Sequence, residues 1–203
     1  MIEPRVIVIA SGNRKKAREL EELLRGTRWQ VKSLADFPGI EEPEETGTTF
    51  EANARLKAQY YAEKTGHVCL ADDSGLVVDY LNGEPGVNSA YYAGPQKDDA
   101  ANNAKLLVAL EDVPWHLRTA RFVCCAAIAF PGSSEVHIER GEVEGHIAAA
   151  PFGNHGFGYD PLFVPLGYEE TFGEMDPELK HRLSHRGRAL ARIKAWLESV
   201  SWE

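Results

Sequence analysis

The segment VCLADDSGLVVDY, Val68 to Tyr80, sets two aspartates side by side in an otherwise apolar, strand-like run. Burying one carboxylate without a partner is costly, and burying two neighbours costs more. A fold that uses this run as an interior strand therefore needs a cation or a metal ion close to Asp72 and Asp73. The alternative is an Asx-turn, in which one aspartate caps backbone amides. A polar turn at the end of a buried strand is also a common site location in α/β proteins. Val68–Ala71 and Leu76–Tyr80 read as short strands on either side of the turn DDSG.

The rest of the chain supplies both kinds of element. Arg5–Ala10 reads as a strand, and Lys15–Leu24 as an amphipathic helix with Ala17, Leu20, Leu23 and Leu24 on one face. Val31–Leu34 reads as a second strand, followed by the acidic, Pro- and Gly-interrupted loop ADFPGIEEPEETG. Thr48 and Glu51 resemble a capping box that opens a helix from about Thr49 to Lys64, with Gly66 as its stop. NGEPG reads as a turn and Asp98–Leu110 as a helix. Ala120–Phe130 and Val136–Glu144 read as strands around a PGSS hairpin loop. After the loop AAPFGNHGFGYDP the chain ends in helical segments, the last with Leu190, Ile193, Trp196 and Leu197 on one stripe. Interspersed helices and strands predict an α/β chain with a mixed sheet rather than a regular doubly wound one. The 203 residues suit one sizeable domain over 1–203, with two lobes, and show no internal repeat, low-complexity tract or linker.

Charge and composition exclude some function classes. A formal net charge of −9 argues against a nucleic-acid binder, which carries a basic surface, but leaves room for a small anionic ligand held by a local cluster of cations or a metal. No apolar run reaches membrane-spanning length, and MIEPRVIVIASG lacks a signal-peptide layout, so no membrane partner is expected. Cys69, Cys124 and Cys125 have no metal-type spacing and read as small core residues, which suits a reducing cytoplasm.

Five further stretches could carry chemistry. SGNRKK, Ser11 to Lys16, joins the first strand to the first helix and loads a helix N-terminus with Arg14, Lys15 and Lys16, an arrangement favoured when an anion is bound there. It is not a P-loop, and a solvated basic turn is the plain alternative. Glu44 and Glu45 in EETG, with Asp72 and Asp73, offer hard oxygen ligands suited to Mg²⁺, although acidic loop residues are usually just solvated. Asn53 and Lys57 lie four apart on one helix face, which unaided most often means a solvated face. GFGYDP, Gly156 to Pro161, combines close backbone approach with aromatic rings on which a base could stack, or else is a rigid loop with its aromatics in the core. LKHRLSHRG, Leu179 to Gly187, concentrates Lys180, His181, Arg182, His185 and Arg186 in an otherwise acidic chain. His181 and His185 are four apart, a spacing open to metal binding, but no HExxH arrangement or cysteine supports zinc.

Taken in order, SGNxxK, EETGxTF with NAxxKA, ADDSGL, FGYDP and SHRG resemble the inosine triphosphate pyrophosphatase family, from Val6 to about Leu190. The resemblance implies a bilobed α/β fold, with an elongated mixed sheet flanked by helices and a deep cleft between the lobes, and a homodimer. It implies hydrolysis of the purine nucleoside triphosphates ITP, dITP and XTP to the monophosphate and pyrophosphate with Mg²⁺, or with Mn²⁺ in its place. In that reading Ser11, Gly12, Asn13, Arg14, Lys15 and Lys16 hold the triphosphate, with Asn13 and Lys16 as principal contacts, and Lys57 adds a phosphate contact. Glu45, Asp72 and Asp73 hold the metal, Asp73 is the general base, and Ser74 follows it in the substrate site. Phe157 stacks on the purine, Gly158, Tyr159 and Asp160 shape its pocket, and Lys180, His185 and Arg186 complete the site and read the 6-oxo group. One departure stands out: many relatives carry Glu where this chain has Ala52. Glu51 does not substitute for it, being about 100° around the helix. A nucleotide-binding module without catalysis, and a pyrophosphatase for other nucleotides, are the competing readings.

Overall fold

The computed structural model describes residues 5–11 and 14–200, without the side chains of residues 14–17 and 19. The described chain folds as an α/β structure around a six-stranded sheet. In chain order the elements are β1 (Arg5–Ile9), α1 (Arg14–Leu24), β2 (Trp29–Ser33), α2 (Phe50–Thr65), β3 (Val68–Val78) and α3 (Asp99–Ala109). Then follow β4 (Thr119–Ala129), β5 (Val136–Ile147), β6 (Phe163–Pro165), α4 (Pro177–Leu183) and α5 (His185–Ser199). The sheet order is β2-β1-β3-β4-β5-β6. β1 runs parallel to both β2 and β3, while β5 and β6 are antiparallel, so the sheet is mixed, as the sequence predicts.

The chain divides into two compact units. The first comprises Met1–Asp73, Cys125–Arg140 and Ala189–Glu203. Its core explains the uninterrupted apolar run of β1: Ile7, Val8 and Ile9 are all buried, as expected of a parallel strand covered on both faces. Small residues of α2, Ala54, Ala58 and Ala62, let that helix sit close to its neighbours, and Leu190, Ile193 and Leu197 form the buried stripe of α5. The fourth residue of that predicted stripe, Trp196, is half-buried and stacks on His137, with ring centroids 3.9 Å apart. The three cysteines are buried and free.

The second unit comprises Ser74–Cys124 and Gly141–Arg188. Its core gathers Leu76, Val78, Leu106, Leu110, Ile147 and Leu162 around the rings of Phe122, Phe163 and Phe172. The buried Arg118 is satisfied entirely by backbone, donating to the carbonyls of Leu110, Val113 and Ala148, so its charge closes the end of the helix region rather than a site.

Local details depart from the sequence reading in three places. The helix α2 is capped by Thr49, whose hydroxyl accepts the Ala52 N–H, not by Thr48. With Ala at the third helical position there is no capping box, and Glu51 pairs with Arg55 instead. Gly66 ends the helix in the left-handed conformation, as predicted. DDSG is not a turn: Val68–Val78 is one continuous strand. It stays extended because it runs between β1 and β4 in the sheet, and the Leu76 N–H donates to the Ser89 hydroxyl. Finally, β6 was not anticipated, because three residues are too few to show a period.

Candidate active site

Asn53 and Lys57 lie on one face of α2, and both reach Asp73 of β3. The Asn53 amide donates to Asp73 Oδ2 at 3.3 Å and the Lys57 ammonium to Oδ1 at 3.3 Å. The same ammonium donates to Glu45 Oε1 at 2.9 Å. Asn53 also accepts the Gly47 N–H at 2.8 Å, so one amide ties the EETG loop to the carboxylate. That approach requires a glycine, since a Cβ at position 47 would lie 2.4 Å from Asn53 Oδ1. The solvated-face alternative for Asn53 and Lys57 is thereby set aside: Asn53 is only 2% exposed. The Asx-turn alternative for Asp73 falls too, because its partners are side chains of α2.

The electrostatics of this cluster are those of a charged group kept from water. Burial pushes the Asp73 carboxyl up, Lys57 pulls it down, Glu45 adds to the rise, and the balance lies above the usual carboxylate value. Burial alone would lower the Lys57 ammonium, but the charges of Asp73, Asp72 and Glu45 outweigh it and hold it above its usual value. Three carboxylates, those of Asp73, Asp72 and Glu45, act on this one ammonium. Such an oxygen-only set suits a hard divalent cation. Among the described residues no group of three His, Cys, Asp or Glu side chains is gathered tightly enough to hold a metal by itself. Mg²⁺ does not require one, since it takes one or two carboxylates and completes its shell with phosphate oxygens and water. Glu44 is exposed.

A second cluster belongs to the second unit. Phe157 and Tyr159, whose fates the sequence left open, separate. Tyr159 is 4% exposed and its hydroxyl donates to the Ser89 carbonyl at 2.7 Å, whereas Phe157 is 46% exposed. Lys180 pairs with the buried Asp160, and its ammonium lies 4.9 Å from the centre of the Phe157 ring. Burial pushes the Asp160 carboxyl up and Lys180 offsets only part of that rise. The Phe157 loop lies against the turn at Thr171–Met175: the His155 N–H donates to the Gly173 carbonyl, the Gly173 N–H to Asp160, and the Thr171 hydroxyl to Phe152. Gly158 is gripped by α3, with its N–H on Asp99 Oδ2 at 2.7 Å and its carbonyl on Asn103 Nδ2 at 2.9 Å. Sequence reasoning missed Ser89, Asp99 and Asn103. The i, i+4 spacing of Asp99 and Asn103 was there to be read, but polar residues so spaced on a helix are ordinary.

The remaining predicted residues fall as follows. Ser11 and Ser74 are half-buried, following β1 and Asp73 respectively. Gly12 and Asn13 lie outside the described residues, and of Arg14, Lys15 and Lys16 only the backbone, opening α1, is described. Arg186 is buried, and His185 stacks on Phe122 with centroids 4.9 Å apart. The His181–His185 metal spacing is not realised on one helix. Ser184 ends α4 and its hydroxyl accepts the Gly187 N–H at the start of α5, so the two histidines sit on different helices.

The Ham1 family model matches residues 7–196, nearly the whole chain. The chain belongs to the Ham1 family. Among its relatives, the dITP/XTP pyrophosphatase of Desulforamulus reducens is 53% identical over 186 residues, 92% of each chain. That of Halalkalibacterium halodurans is 46% identical over 94% of this chain and 98% of its own. A HAM1 protein from Coxiella burnetii superposes with a TM-score of 0.91 at 41% identity, over 97% of this chain and all of that one. The resemblance read from the five motifs is thus borne out. Ham1 membership also bears out the α/β fold with its mixed sheet.

Proposed function

We propose that this Ham1-family protein hydrolyses non-standard purine nucleoside triphosphates, ITP, dITP and XTP, to the monophosphate and pyrophosphate, keeping them out of nucleic acids. It is a hydrolase acting on acid anhydrides, in keeping with its dITP/XTP pyrophosphatase relatives. The observation that carries the site is Asp73, a buried carboxylate gripped by Asn53 and Lys57 and held above the usual carboxylate value. A carboxylate so placed is a competent acceptor for the proton of an attacking water. In this reading Asp73 activates the water that attacks the α-phosphorus, and pyrophosphate leaves. Lys57 counters charge on the phosphates, and Ser11 through Lys16 hold the triphosphate.

Glu45, Asp72 and Asp73 would hold Mg²⁺, or Mn²⁺; the cation, when bound, neutralises phosphate charge and polarises the oxygens it touches. Phe157, exposed beside Lys180, offers its face to the purine. Gly158, Tyr159 and Asp160 shape the purine's pocket. Lys180, His185 and Arg186 supply donors for a 6-oxo group. Adenine's 6-amino group would leave such donors unpaired, and sites of this kind reject an analogue by a factor on the order of 10⁴. A homodimer in the cytoplasm belongs to the same proposal; the free, buried cysteines suit a reducing compartment.

The test is a substrate panel scored by kcat/KM. Purified protein with Mg²⁺ should release pyrophosphate from dITP and XTP and leave ATP and GTP almost untouched. Orthophosphate as the product, or ITP binding without turnover, overturns the proposal.

A further inference from the structure

The Phe157 loop has neither strand nor helix of its own, yet three consecutive peptide planes in it are held by side chains. Asp160 Oδ2 accepts the Phe157 N–H at 2.8 Å and so holds the plane before that residue. Asp99 Oδ2 accepts the Gly158 N–H at 2.7 Å and holds the plane after it. Asn103 Nδ2 donates to the Gly158 carbonyl at 2.9 Å and holds the next. Because peptide units are rigid, fixing the two planes that flank an α-carbon fixes its φ and ψ, and with them the direction of the Cα–Cβ bond. The aim of the Phe157 side chain is therefore set by Asp160 on one side and Asp99 on the other. Gly158 takes φ of +58°, a bend that glycine makes without the strain a side chain would bring.

Packing does not do this work, since the Phe157 ring is half exposed. Asp99 and Asn103 stand four apart in α3 and so present one face to both peptide groups of Gly158. Asn103 Oδ1 is buried with no hydrogen-bond partner among the described residues. The amide is thus retained for its donor side, at a cost that an apolar residue of the same shape would avoid.

We propose that Asp99 and Asn103 are positioning residues for substrate selection: acting through Gly158, they aim the Phe157 ring at the base. They set how tightly the purine is held rather than how fast the anhydride is cleaved. The inference rests on the reading of Phe157 as the purine's platform.

Steady-state kinetics with dITP, alongside thermal melting, test it. Asp99→Ala and Asn103→Leu should each raise KM about tenfold, as expected for loss of one charge-assisted or well-aligned hydrogen bond, with little change in kcat. Asp99→Asn keeps an acceptor oxygen and should restore KM to near the wild-type value. Asn103→Leu removes the unpaired oxygen, so its melting temperature should not fall, whereas a merely structural role predicts that it does. In a Phe157→Leu background, Asp99→Ala should add nothing further, because the platform is gone. Unchanged KM in both variants, a fall in kcat and melting temperature together, or full additivity with Phe157→Leu overturns the inference. Wild-type protein that fails to turn over dITP, or a Phe157→Leu variant with wild-type KM, sinks the functional reading and this inference with it. Normal controls with a silent Asp99→Ala sink this inference alone.

Discussion

Asp73 stands on a strand and is gripped from a helix, whereas Phe157 stands on an irregular loop tied down by both side-chain and backbone hydrogen bonds. In the first cluster the backbone of α2 and β3 is already fixed by its own hydrogen bonds, so Asn53 and Lys57 arrive at the carboxylate ready placed. In the second, the peptide planes on either side of Phe157 and Gly158 are held by Asp99, Asn103 and Asp160. Chemistry that tolerates little error in position belongs on regular elements, and recognition that must fit one base among several can be adjusted on a loop. Substitutions at the first cluster should therefore act on rate or on stability, and at the second on affinity.

The largest expected effect is at Asp73. Asp73→Asn should lower kcat by a factor of about 10²–10⁴, the usual contribution of a general base, measured by pyrophosphate release. The protein should stay folded. Burial raises the Asp73 carboxyl and Lys57 opposes the rise, so between the unfolded and folded values the folded state holds more protons and this group's contribution to stability falls as pH rises.

Lys57→Met acts on stability. It removes the ammonium that Glu45 and Asp73 share and should cost about 3 kcal/mol in denaturant unfolding. Added Mg²⁺ should stabilise this variant more than the wild type if the carboxylates hold a metal, and equal responses would count against that.

Alkali offers a sharper contrast within the first unit. Burial pushes the Cys69 thiol from 9.0 up to about 11, with the Thr65 hydroxyl opposing. In that window the unfolded chain releases the proton and the folded chain keeps it. Stability should fall by up to about 1.4 kcal/mol per pH unit, and Cys69→Ala should flatten that slope in unfolding titrations between pH 9 and 11.

Smaller still is the effect expected at the second cluster. Phe157→Leu should raise KM for dITP by an amount equivalent to about 1–3 kcal/mol of lost base stacking, with kcat kept and the melting temperature unmoved. Loss of kcat without change in KM would erase the distinction between the two clusters. Thr49→Ala, which removes the cap of α2, should cost about 1 kcal/mol of stability without touching KM.

Much of the fold was legible because periodicity and end signals are local. The apolar run of β1, the face of α1, the glycine stop of α2 and the buried stripe of α5 could be read within a few residues of each other. The errors were also local in kind. DDSG has the composition of a turn, but its strand runs between β1 and β4 in the sheet and stays extended. His181 and His185 have a helical spacing that the Ser184 cap breaks.

The sequence by itself determined the family, through five motifs whose order no composition could imitate, and it marked Asp72 and Asp73 as carboxylates in need of a cation. Only the tertiary structure decided which cation serves Asp73, because Lys57 lies 16 residues away and Glu45 further still. It also decided that Tyr159 is buried while Phe157 is not, and that Asp99 and Asn103, more than fifty residues from Gly158, hold the loop between them. Patterns of burial and spacing are written along the chain. Which donor meets which acceptor across it depends on where separate elements come to rest, and that is settled by packing.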